Sequence, residues 1–156
     1  MTLAETFALV SFSIFSYADL RYRLVPGIEV FLFGTILLTF PATPLQTGIV
    51  LLACLWSIFR NLSGWFAIPL LFYPPVWPVL FTGYGYRKGI IGRADLLAIS
   101  GLACLFPLPA VLLSLLGLEL WRRLWIRRQQ GNIPALPGLL LGLIVYLLLR
   151  LFLPTP

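Results

Sequence analysis

The chain has 156 residues, 60% of them hydrophobic and only 10% charged, with a mean hydropathy of +0.99; a domain this small cannot bury so much apolar surface from water, and ordinary globular chains carry about 25% charged residues. The formal charge is +6, carried almost wholly by arginines in short clusters. Without any nucleic-acid motif, that excess fits membrane orientation and anionic lipid headgroups, and it argues against nucleic acid as a partner. Histidine is absent, which excludes Ser-His and Cys-His nucleophile pairs, imidazole metal sites and histidine pH switches.

Apolar runs of about 17–25 residues, the length that crosses a bilayer, recur along the chain and predict an all-α, polytopic transmembrane bundle of about six spans. No soluble segment is long enough for a second domain, so residues 1–156 read as one. Residues 1–18 form the first helix, about 27 Å long at 1.5 Å per residue. With no basic n-region and no cleavage site of small residues, it is expected to be retained rather than removed as a signal peptide. A basic turn, Asp-Leu-Arg-Tyr-Arg-Leu-Val-Pro-Gly, follows from Asp19. Residues 28–40 form a second helix and 41–45 an uncharged linker. Residues 46–60 form a third helix ending at Arg60, and Asn-Leu-Ser-Gly breaks it.

Residues 62–82 are apolar but contain Pro69, Pro74, Pro75 and Pro78. Proline removes a backbone donor and clashes with the preceding turn, so the segment is expected to be re-entrant or interfacial rather than one straight helix; the alternative is that one of the runs 28–40 and 46–60 does not span. Gly-Tyr-Gly-Tyr-Arg-Lys-Gly at 83–89 lacks the Gly-Lys-Ser/Thr ending of a phosphate cradle and reads as a basic loop or hinge. A helix over 90–106, a turn at Pro107 and Pro109, a helix over 110–126 and a last span over 136–153 complete the chain. Trp121 and Trp125 among arginines mark an interfacial anchor. Cys54 and Cys104 lie far apart in apolar runs, form no Cys-x-x-Cys pair and read as small hydrophobes.

Basic residues then fall on one face: Arg21, Arg23, Arg60, Arg87, Lys88, Arg93, Arg122, Arg123, Arg127 and Arg128 are expected to be cytoplasmic. Arg150 alone falls at the outer end, within snorkelling reach of the headgroups. Asp19 and Asp95, the only aspartates, both come to the cytoplasmic side, each within Ala-Asp-Leu. Ionisable groups at a membrane are costly, which makes them functional candidates. Two facing carboxylates share a proton; one activates water as general base and the other donates a proton to the substrate. Simple ion pairs, Asp19 with Arg21 or Arg23 and Asp95 with Arg93, are the structural alternative. Glu29 is a further acid near that face, suited either to reading a substrate or to a helix start.

The residues around the aspartates resemble the motifs of the prepilin peptidase family. Asp19, Arg21, Val25 and Pro26 resemble its first motif, an Asp ending the first helix, then a basic residue and Val-Pro. Gly92 and Asp95 resemble its Gly-x-Gly-Asp motif, with Ala94 at the second glycine, as is found in the archaeal preflagellin and prepilin peptidase branch. Ile133, Pro134 and Pro137 resemble its Ile-Pro-x-x-Pro landmark, with Gly142 beyond. Leu97 stands where many members have lysine, and Gly27 where an Asn often follows the proline. The resemblance implies a multi-pass cell-membrane aspartic endopeptidase needing no metal or cofactor, with Asp19 and Asp95 catalytic and facing the cytoplasm. Its partners would be membrane lipids and precursors bearing a basic leader before an apolar helix. A catalytically silent assembly or scaffold protein and a small proton-coupled transporter are the alternatives from other classes.

Overall fold

A computed structural model describes residues 2–22, 43–59, 61–128 and 133–152, and these are all-helical. The helices are α1 (Leu3–Tyr22), α2 (Pro44–Ile58), α3 (Trp77–Arg87), α4 (Arg93–Leu105), α5 (Leu108–Arg128) and α6 (Leu136–Phe152), with three 3-10 turns between α2 and α3. The expected helix over 28–40 lies outside the described residues, as do Arg23, Val25, Pro26, Gly27, Glu29 and Arg60. Among the described residues no helix is long and apolar enough to cross a membrane. The 17 residues of α6 reach only about 26 Å against a hydrocarbon core of about 30 Å. The longer helices α1 and α5 carry charged residues, among them Glu5, Asp19 and Arg21, and Glu119, Arg122 and Arg123.

The chain forms two compact units. One contains α1, α5 and α6. Here α1 and α6 run antiparallel, because Glu5 at the start of α1 pairs with Arg150 at the end of α6, and Asp19 near the end of α1 meets Leu136 at the start of α6. The α5–α6 crossing brings backbone onto backbone. A side-chain carbon at Gly142 would lie 2.1 Å from the Leu113 carbonyl oxygen, and one at Gly117 would lie 2.5 Å from the Gly138 carbonyl oxygen. Only glycine permits this approach, and Gly138-x-x-x-Gly142 is the small-residue spacing that lets helices touch closely in lipid.

The other unit contains α2, the 3-10 turns, α3 and α4. Thr43 caps α2, its hydroxyl accepting from the Gln46 N–H at 3.2 Å, and Pro44 occupies the first turn. Thr43 and Pro44, read above as linker, therefore begin the helix, since proline is favoured where its missing N–H costs nothing. The Gln46 amide reaches the Ala103 carbonyl at 2.6 Å, so the start of α2 lies against the end of α4. The proline-rich run coils into 3-10 turns at Gly64–Ala67, Pro69–Phe72 and Pro74–Val76 before α3 begins. The basic loop expected at 83–89 is a correction: α3 continues through Gly83 and Gly85 to Arg87. These glycines serve packing rather than a turn, for an added carbon would strike Ser57 at Gly83 and Ile91 at Gly85.

Candidate functional site

The first helix runs past Asp19 to Tyr22, so the aspartate lies in its last turn. Arg21 supports that turn, since its guanidinium donates to the Tyr17 hydroxyl one turn earlier and lies near the Tyr17 and Tyr22 rings. A cation there also complements the negative end of the helix dipole. Asp19 is half-buried, and its Oδ2 accepts the Leu136 N–H at 3.1 Å. Leu136 opens α6, and the first N–H groups of a helix lack partners within it. The carboxylate therefore caps a helix from a different part of the chain. It thereby joins Asp19 of the first resemblance motif to Leu136, which lies between Pro134 and Pro137 of the landmark.

Asp95 sits in the first turn of α4 and is half-buried. Its Oδ2 accepts the Gly92 N–H at 3.3 Å. This is the carboxylate half of a capping box, and the reciprocal half is missing because Gly92 has no side chain to offer. A side-chain carbon at Gly92 would come within 3.2 Å of that same Oδ2. Gly92 thus leaves the carboxylate room, while Ala94 is partly covered beside it. Both aspartates share one arrangement: a carboxylate oxygen at the amino end of a helix, holding a backbone N–H.

Asp19 belongs to the unit of α1, α5 and α6, and Asp95 to the unit of α2, α3 and α4. The contact with Leu136 was not expected from the sequence. Nothing local announces it, because it joins residues 117 apart. The Gly92 contact spans three residues, and Gly-x-x-Asp at a helix start is a spacing that announces it. Among the described residues no three or more acids and cysteines gather as a metal site requires.

Arg87 carries a second cluster of contacts. Its guanidinium lies 4.5 Å from the Trp56 ring centre and donates to the Leu62 carbonyl at 2.7 Å and the Phe59 carbonyl at 3.2 Å. The Trp56 indole N–H donates to the Ser63 carbonyl at 3.1 Å. Together they hold the chain where it leaves α2. Near the end of α5, Glu119 bridges Arg122 at 2.7 Å and Arg123 at 2.9 Å, and the Trp121 and Trp125 rings of the same helix lie 5.8 Å apart, tilted by 31°.

Comparison with protein-family models, curated proteins and solved structures finds no match for the chain.

Proposed function

We propose that the protein is a multi-pass cell-membrane aspartic endopeptidase that removes a basic leader from prepilin-like or preflagellin-like precursors at the cytoplasmic face. Asp19 and Asp95 are its general acid and base. The observation that carries the reading is the setting of the two aspartates. Three motifs resembling the prepilin peptidases occur in order, and two of them meet through the Asp19 contact with Leu136. Asp95, in the other motif, is held at a helix start by Gly92. A backbone N–H that holds a carboxylate fixes its position, which acid–base chemistry requires.

The membrane part of the reading is supported by what the helices turn outward. Leu3, Phe7, Val10, Ile14 and Tyr17 form an exposed stripe along α1, and Leu112, Leu116, Leu120 and Leu124 form another along α5. Water-soluble monomers rarely expose contiguous apolar patches beyond a few hundred Å², whereas lipid accepts such stripes. A substrate whose own helix is apolar would approach laterally and present its leader at the interface.

The Leu136 contact also favours a second reading, in which Asp19 is a helix cap within a non-catalytic assembly protein. Asparagine separates the two, because it caps a helix about as well as aspartate does but cannot exchange a proton. Co-expression with a prepilin-like precursor should show leader removal by the wild type and a loss of at least about 100-fold in Asp19→Asn and in Asp95→Asn, the scale of general acid–base contributions. Leader removal that persists in both asparagine variants would leave only the cap.

A further inference from the structure

The corner between α3 and α4 has a feature that the proteolytic reading does not use. The Ile90 N–H donates to the Gly85 carbonyl at 2.9 Å and the Gly89 N–H to the Tyr86 carbonyl at 3.0 Å. Gly89 itself has a left-handed φ of 74°. This is the glycine-terminated helix end in which the residue after the glycine ordinarily packs back onto the last turn. Ile90 does not do so: it is 80% exposed, and the carbon that approaches Gly85 comes from Ile91 instead. The corner therefore offers an isoleucine outward on a turn fixed by backbone hydrogen bonds.

Cations flank that isoleucine. Lys88 and Arg93 are both exposed, and the Lys88 ammonium lies 5.6 Å from the ring centre of the exposed Tyr84. Arg87 ties the corner to the Phe59 and Leu62 carbonyls, which fixes it to the neighbouring segment. An apolar tip between two cations in the chain, one of them beside a tyrosine ring, matches the boundary between acyl chains and anionic headgroups.

We propose that the α3–α4 corner is a docking surface for anionic phospholipid, with Ile90 entering the acyl boundary and Lys88 and Arg93 engaging the phosphates. The surface does not depend on the aspartates performing chemistry. Its test is retention of short-chain phosphatidylglycerol against phosphatidylcholine by the full chain in neutral detergent, followed by native mass spectrometry. Wild type should retain phosphatidylglycerol preferentially. Lys88→Gln with Arg93→Gln should lower that retention by roughly fivefold for each cation removed, and Ile90→Ser should lower retention of both lipids. Arg122→Gln with Arg123→Gln removes the same charge where Glu119 already engages it, and it should change little. Equal retention of the two lipids by wild type would overturn the proposal, as would equal losses in the two double variants. Unchanged circular dichroism in each variant excludes misfolding as the cause of a loss.

Discussion

The Asp19 carboxylate accepts the Leu136 N–H across 117 residues, whereas Asp95 accepts its N–H from only three residues away. The sequence singled out both aspartates because acids are scarce among so many apolar residues, and Gly92 because a motif required it. It could disclose the Gly92 contact, which follows from helix-start geometry, but not the Leu136 contact, which only tertiary packing creates. That difference is measurable. Asp19→Ala leaves the Leu136 N–H without its partner and should cost about 1–2 kcal/mol, while Asp19→Asn should cost only a few tenths. Unfolding of the purified variants in detergent, followed by circular dichroism, checks the order. Equal destabilisation would mean that the charge, not the hydrogen bond, holds the contact.

Most helices were legible from their apolar runs, and the misread ends have local causes. An uncharged stretch between two apolar runs reads as linker at Pro44, although Thr-Pro is a favoured way to begin a helix. Gly83 and Gly85 suggest a turn by composition, but a helix tolerates glycine where a neighbour must come close, here Ser57 and Ile91. Periodicity does not distinguish a glycine that bends the chain from one that makes room. The α5–α6 crossing makes the same point with larger consequences. Gly142→Val would drive a side chain into the backbone at Leu113 and Ser114 and should destabilise the protein by about 2 kcal/mol or more. Gly48→Ala on α2, where an added carbon meets nothing within 4 Å, should be neutral or stabilising by up to about 1 kcal/mol. Thermal unfolding of both variants compares them directly; a neutral Gly142→Val would show that the crossing can open without cost.

Over the whole molecule, charge distribution sets the proposed orientation. In that proposed orientation Arg150 is the one cation out of place, and it pairs with Glu5. The pair lies at the end of the α1–α6 packing opposite Asp19, so the cation meets an acid there. Tyr22→Cys and Lys88→Cys, each made singly with Cys54 and Cys104 replaced by alanine, should both react with an impermeant thiol reagent only when it reaches the cytoplasmic side. Labelling of the two positions from opposite sides would refute the proposed topology.

The partnership of α1 with α6 also bears on how the chain is made. α2, α3 and α4 are contiguous and can associate as soon as Leu105 has been synthesised. α1 must wait for a partner whose first residue comes 117 positions after Asp19, roughly 6–25 s at ordinary elongation rates of 5–20 residues per second. During that interval its carboxylate and its future packing face have no α6 to meet. Although α1 is made before α2, α3 and α4, it is thus among the last of the described helices to reach its final neighbour, and a factor that shelters α1 would act during that interval.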